Sequence, residues 1–555
     1  MKIEHHTALF QKICKRIPEL IFFLAAAASI LTTWYATGQF LDSDASSELV
    51  LAQHWVQTGN ILSKDWIYGS EFRLLHMQLL YAPLMLVFED WHMIRFLGAV
   101  LAQAIYMAAY VFLLHQAGLD RRFFYLGGAI LLLPVSVAYG RVVLYHNHYL
   151  PNIIISFFLV GLLLGFSQQK NWKKAGTWLR LATMLALSYL SGIHGVRQLM
   201  ITHGPLVLIL VAFSLIDDSR STEPHKTAFL KPERLHLLLC AVANTVAALL
   251  GLITNHHLIN QGYCLAVNPA GFWLGIQSGS TTGDILHGYF HQFGFRENVP
   301  MVSLIGILSF GGLLLGIFLV VISVKRLLCT RDHKDIRQEI LFQFFLFYTG
   351  IMLLLFVITS GGYCYTLYLS LCLPWAVPLL LDQFFHRPAE YHILHPRKLF
   401  AWLTVLLLFA NGVANLTWFN GSKLFDQPYE GLLYQDTDKK EDLSEVLTYI
   451  LENGYDAGYA PHWECNIVIE MTNGQLPVAT VLNMGGNLSY GNCLTSLWFR
   501  DVPTQKPFLL LEKAAQASFE RDPSSSQYCT LVYDDGRNCL YDILDLEMFI
   551  PTLYS

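Results

Sequence analysis

Of 555 residues, 54% are hydrophobic and only 14% charged, against roughly a quarter charged in an ordinary soluble domain, so the chain cannot cover a water-facing surface of its own size. The charge gathers in short runs between apolar stretches long enough to cross a hydrocarbon core, which takes about 20 helical residues. A net charge of −5 and no basic stripe on any soluble element exclude a nucleic-acid-binding role.

In chain order, apolar segments predict spans near 19–38, 95–116, 123–140, 150–167, 179–193, 201–216, 236–255, 301–324, 339–359, 366–384 and 399–419. The first follows Lys2, Lys12, Lys15 and Arg16 but lacks a small-residue cleavage pattern behind it, and is read as a retained span rather than a signal peptide. With the N-terminus in the cytoplasm, 22 basic residues fall on cytoplasmic segments. Only five, Lys64, Arg73, Arg141, Arg197 and Arg296, fall on outer loops, with Arg95 at a boundary. That asymmetry fixes the alternation and supports an odd number of spans. The segment Leu75 to Phe88 is short, contains Pro83 and precedes Glu89 and Asp90, so it is predicted to lie in the membrane interface.

These elements predict a polytopic α-helical membrane protein of about 11 transmembrane helices over 1–420, with interfacial helices in a first outer loop at 39–94. A small α/β domain at 421–555 follows on the outer face. Its first helix carries Leu443, Val446, Leu447, Ile450 and Leu451 at helical spacing and stops at Gly454. Strands are predicted at Asn466 to Met471, Val478 to Leu482, Phe508 to Leu511, and Cys529 to Ile543, the last interrupted by a turn at Asp535-Gly536 that sets Val532, not Cys529, opposite Cys539. Four cysteines here, Cys465, Cys493, Cys529 and Cys539, could pair, in a connectivity that the sequence does not give.

Polar residues concentrate on the outer loops. Asp42 and Asp44 stand two apart directly after the first span, ahead of an amphipathic helix that Ser46 or Ser47 could cap. Such carboxylates suit a general base toward an acceptor hydroxyl, or hard ligands for a divalent cation, the one cofactor the sequence points to. A helix cap at the water boundary accounts for them equally well. Glu71, Arg73 and His76 follow in the same loop, with Lys64. Cations and strong donors of this kind suit a phosphate leaving group, though Trp, Tyr, Lys and Arg also anchor the interface. Arg141, His146 and His148 come after the third span, and His194, Arg197 and Gln198 after the fifth. Arg197, beside a span end, needs a partner. His287 and His291 are four apart, on one face of a helix, which is a zinc-compatible spacing; ordinary loop polarity explains them as well.

An N-terminal span, an outer loop with Asp-x-Asp, an amphipathic helix, a short interfacial helix and a second span that starts at Arg95 together resemble the glycosyltransferase-C superfamily. That superfamily includes protein O-mannosyltransferases, the aminoarabinose transferase acting on lipid A, and the oligosaccharyltransferases. The stretch from Asp44 through Ala52, Trp55, Gly59, Tyr68, Glu71, Leu79 and Pro83 to Phe88 looks like that superfamily's first loop. The resemblance implies sugar transfer from a polyprenyl-phosphate-linked donor at the outer leaflet, with Asp44 as catalytic residue and Asp42 beside it; the chemistry of Arg73, His76, Glu71, Arg197 and His146 makes them the candidates toward donor phosphate or substrate. Two departures stand out. Leu367 occupies the place of an arginine in the tenth span near Tyr365, Tyr368, Pro374 and Pro378, and Arg73-Leu74-Leu75-His76 replaces a lysine-proline-proline run.

The expected partners are the lipid-linked donor, membrane lipids and an acceptor that is a glycan, lipid or protein, at the plasma membrane. A surface-polysaccharide polymerase or ligase, a non-catalytic scaffold and a transporter are the alternatives. Few mid-span charges and no inverted repeat argue against the transporter.

Overall fold

The computed structural model describes residues 2–166, 174–220, 232–266, 281–329, 335–359, 365–385, 396–420, 439–485, 487–491 and 494–554. Cys493 and the side chain of Leu367 lie outside them.

All eleven predicted segments fold as helices. Among the described residues eight are long and apolar enough to cross a membrane: Arg16–Gln39, Trp91–Gln116, Leu199–Ile216, Leu235–Asn260, Leu304–Leu328, Ile336–Ile358, Tyr368–Phe385 and Trp402–Phe419. A ninth candidate is Arg121–Leu132 with Val137–Tyr145, bent by 97°. The bend has a local cause, since Pro134 cannot continue a helix and drives Leu133 into an extended conformation (φ −91°, ψ 139°). Ser136 restarts the chain by accepting from the Tyr139 amide at 3.1 Å. Asn415 covers the freed carbonyls of Pro134 and Val135 at 2.7 and 3.0 Å, as backbone at membrane depth requires. The remaining two segments are Leu150–Phe166, 17 residues long and almost wholly buried, and Ala175–His194. By length and composition the structure therefore supports eight or nine spans, where the apolar segments of the sequence predict about eleven.

The helix ends sort onto two faces. At one, Arg326 bonds Glu339 at 2.5 Å and also pairs with Asp382, Arg337 donates to the Gln116 carbonyl at 3.0 Å, and Arg122 lies over Phe385. The other gathers the segments after the first, third and fifth predicted spans.

There the helix Ser43–Thr58 starts at Asp42, whose side chain accepts from the Asp44 and Ala45 amides. Asp42 is thus the cap, one turn earlier than the serines expected for that role. Gly59, at φ 71°, ends the helix with its N–H on the Trp55 carbonyl, the left-handed C-terminal residue that glycine takes without strain. The short helix Gln78–Met85 leaves Leu79 exposed, and Leu86 and Val87 directly after it are exposed too, as an interfacial segment would be.

Strand β1 (Trp66–Tyr68) pairs in parallel with β2 (Cys264–Leu265). The C-terminal segment adds β3 (Ala457–Pro461), β4 (Val478–Met484), β5 (Asn487–Tyr490), β6 (Thr495–Ser496), β7 (Pro507–Glu512), β8 (Cys529–Asp534) and β9 (Asn538–Ile543). Six of these form one sheet in the order β5-β4-β3-β7-β9-β8, while β6 leaves it to pair antiparallel with β1. The first loop and the C-terminal segment are so stitched together. The helix Lys439–Glu452 buries Leu443, Val446, Leu447 and Ile450 as predicted, but Leu451 is 54% exposed.

Two expectations are corrected. Residues Asn466 to Met471 are helical, in His462–Met471; a short apolar run does not by itself distinguish a buried helix from a strand. In the β8–β9 hairpin Asp534, not Val532, faces Cys539, because a bulge interrupts the register and Asp535 holds a longer turn by accepting from the Arg537 and Asn538 amides. Cys529 faces Ile543, so it still does not oppose Cys539, and both are free thiols.

Candidate active site

Four carboxylates from the loop after the first span meet basic groups from three other segments. Asp42 takes Arg141 and, at 2.8 Å, His146 Nε2. Glu48, four residues after Asp44 on the same helix, takes Arg73 at 2.7 Å, His76 Nδ1 at 2.9 Å and His148 Nδ1 at 3.0 Å. Glu71 takes Arg197 at 2.5 Å and His194 Nε2 at 3.0 Å. Asp44 differs, as its hydrogen-bond partner is His462 Nε2 at 3.4 Å, a residue of the C-terminal segment.

Local backbone explains why the basic residues arrive here. Arg141 opens a π-helical turn, Arg141–Tyr145, and a second one, Leu199–His203, follows Arg197; such turns re-aim side chains and concentrate at functional sites. Gly195, at φ 153°, lets the chain reverse after the helix Ala175–His194, so that His194 and Arg197 both reach Glu71.

Burial alone would raise every one of these carboxyl groups. For Asp42 the Arg141 guanidinium and the His146 ring outweigh it, and for Glu48 the Arg73 guanidinium and the His76 ring; both stay well below the usual range. Arg197 and His194 depress Glu71 in the same way. Asp44 is held at about 2, burial being overcome first by the hydrogen bond from His462. Burial and the neighbouring Arg73 push His148 down to about 3, and burial lowers His76 against the pull of Glu48. Burial thus favours the neutral form of His76, His146 and His148, and His146 and His148 are in hydrogen-bond contact with Asp42 and Glu48.

The carboxylates are not equally available. Only 1% of the Glu48 side chain and 4% of Glu71 are exposed, Asp42 has 15%, and Asp44 has 31%. Arg73, 3% exposed, is enclosed behind Glu48 and the Ser47 hydroxyl, while Arg141 and Arg197 show about a tenth of their side chains. Arg197 lies over the rings of Tyr149 and Tyr368 at 5.0 and 5.3 Å.

Asp42, Asp44 and His146 place one ligand atom each within 4.8 Å of one another, as do Glu48, His76 and His148, and Glu71, His76 and His194. These sets do not fit a resident divalent cation. An arginine already lies against a carboxylate of each, so an ion would have to displace it and bring its own charge into a buried site whose carboxylates are compensated. His287 and His291 do share one helix face, at Thr282–His291, and meet Glu297 Oε1 at 2.5 and 3.6 Å; His287 and Glu297 are about half open to water, while His291 is largely buried.

The structure thus brings together Asp42, Asp44, Glu71, Arg73, His76, His146 and Arg197. Sequence reasoning missed Glu48 as the hub, although its four-residue spacing from Asp44 signals a common helix face. It also missed His462, which nothing local links to this site.

No family model matches the chain, and no curated protein matches it in sequence. Among solved structures, the fold is similar to that of ArnT from Cupriavidus metallidurans bound to undecaprenyl phosphate, with a TM-score of 0.53 and 12% identity over 95% of this chain and 98% of that one. It is similar also to the apo state of the same protein, with a TM-score of 0.51 and 12% identity over 99% of each chain. The likeness runs from end to end, membrane helices and C-terminal segment included, and the chain shares the fold of ArnT.

Proposed function

We propose that this chain transfers a sugar from a polyprenyl-phosphate donor to an acceptor hydroxyl at the outer face of the membrane, with Asp44 contacting the acceptor. The observation that carries this reading is the contrast among the four carboxylates: Asp42, Glu48 and Glu71 each pair with an arginine, and Asp44, the most exposed, does not. The shared fold supports the lipid-linked donor, since ArnT was solved with undecaprenyl phosphate.

In this reaction the acceptor oxygen attacks the anomeric carbon as its proton passes to an Asp44 oxygen. The bond from the anomeric carbon to the phosphate oxygen breaks with its electron pair left on the phosphate. Attack opposite the leaving group inverts the anomeric configuration. Polyprenyl phosphate leaves readily, so the protein has to position, deprotonate and neutralise. Arg197 and Arg141, less enclosed than Arg73, supply the cations nearest to an entering phosphate; Arg73, His76 and His146 hold Glu48 and Asp42 in place.

Asp44→Asn tests the assignment. Asp44 is not the cap, and losing a negative charge in the first helical turn costs only about 0.3–1 kcal/mol, so insertion and melting temperature should persist. Transfer from a polyprenyl-phosphate sugar should fall by a factor of roughly 100 to 10,000. Near-normal turnover would reduce Asp44 to a marker of the water boundary.

A further inference from the structure

We infer that the C-terminal segment completes the active site, with His462 as a positioning residue that holds one Asp44 oxygen and leaves the other aimed at the acceptor hydroxyl. This rests on the role of Asp44 argued above and adds a second chain segment to it.

The helix His462–Met471 presents a polar stripe at four-residue spacing: His462, Asn466 and Glu470. Residues so spaced share one helix face, and here that face meets the helix Ser43–Thr58. The His462 carbonyl accepts from the Ser43 hydroxyl, Asn466 donates to the same Ser43 oxygen at 3.2 Å, and Glu470 accepts from Ser46 at 2.5 Å while pairing with Arg95 at 3.2 Å. Asn466 and Glu470 are buried, and buried polar groups need such partners to be tolerated. Those two contacts are accounted for as docking.

The third is different in kind. His462 and Asp44 are 14% and 31% exposed, so the stripe opens to solvent at the carboxylate that the reaction uses. As Asp44 is ionised, the carboxylate partner fixes the tautomer: Nε2 carries the hydrogen and donates to Oδ1. A carboxylate with a single anchored oxygen is oriented yet keeps Oδ2 free to receive the acceptor proton. Asp42, His146 and His148 also face Asp44, but Asp42 and His148 spend their own hydrogen bonds on Arg141, His146 and Glu48. Holding a catalytic group in line matters because a displacement of about 1 Å can cost a factor of about 100.

The test compares His462→Ala, His462→Asn and His462→Gln in the full-length protein, with melting temperature measured beside transfer from a polyprenyl-phosphate sugar. Alanine removes the donor, and asparagine keeps polarity but is too short for the gap. Both should lower kcat by about 10- to 100-fold with KM unchanged. Glutamine places an amide N–H near the same point and should recover a measurable part of kcat. In an Asp44→Asn background, His462→Ala should bring no further loss, as residues acting as a unit are non-additive. Wild-type kcat in both the alanine and asparagine variants, a rise in KM alone, or a glutamine variant as poor as alanine would overturn the inference. The two failures are separable: an active Asp44→Asn sinks the underlying reading, whereas an inactive Asp44→Asn beside a fully active His462→Ala sinks this one alone.

Discussion

Glu48 lies against Arg73, His76 and His148 in a fully buried setting, and the two imidazoles are held neutral there. This has a consequence for stability. A histidine whose folded pKa is depressed binds its proton more readily in the unfolded chain, so the stability it contributes is full above the unfolded value near 6.5 and is lost as pH falls toward the folded value. For His148 that window runs from about 6.5 down to about 3. Glu48 and Glu71, depressed in the folded state, add a loss only below the unfolded carboxylate value near 4.3. Between pH 6.5 and 4.5 His148 therefore sets a slope on the order of 1 kcal/mol per pH unit, and His76 adds to it in the same direction. The purified protein should melt at progressively lower temperature from pH 7 to pH 5. His148→Asn, whose amide nitrogen stands near the place of Nδ1 and can donate to Glu48 but cannot titrate, should flatten that decline. A wild-type melting temperature constant over this range would show that the imidazoles are not held neutral.

At the scale of elements, three segments meet at one buried ion pair. Arg95 lies on the helix Trp91–Gln116, Glu470 on His462–Met471, and Ser46 on Ser43–Thr58, 424 residues from its partner Glu470. Arg95 is fully enclosed, so Glu470→Gln leaves a buried guanidinium without its counter-charge, a change that costs about 3–5 kcal/mol. The variant should melt well below wild type, and Arg95→Met with Glu470→Leu, which replaces the pair by apolar side chains, should regain most of the loss. Equal melting of wild type and Glu470→Gln would show that the pair does not hold the C-terminal segment to the membrane helices. Only half of this clamp was legible beforehand. Arg95 stands out as a lone cation at the start of a span, but Glu470 falls in a run that reads as a strand, because alternation and helical spacing are indistinguishable over six mostly apolar residues. The helical reading would have placed Asn466 and Glu470 on one face and exposed the stripe. The helix Lys439–Glu452 and the strands β4, β7, β8 and β9 were legible for the opposite reason: each has a period or a turn signal long enough to decide.

For the whole molecule, the charge pattern predicted which loops share a face, and the fold brings those loops together in space. Residues 42–48, 71–76, 141–148 and 194–197 converge, whereas Arg122, Arg326 and Arg337 gather at the other helix ends. Which face points outward is a separate matter. By the positive-inside rule, the excess of 22 basic residues over five leads to the expectation that the site face lies outside. That assignment makes a direct prediction for intact cells, in a Cys264→Ser background because Cys264 is the exposed native thiol among the described residues. A membrane-impermeant thiol reagent should label Asp501→Cys, on the exposed surface of the C-terminal segment, and should leave Lys334→Cys unlabelled until the membrane is permeabilised. The two positions must behave oppositely, because an even number of membrane crossings between them would put both on one side. Labelling of Lys334→Cys in intact cells, with Asp501→Cys protected, would turn the molecule over and place the carboxylate cluster in the cytoplasm, where an acceptor presented at the outer leaflet could not reach Asp44.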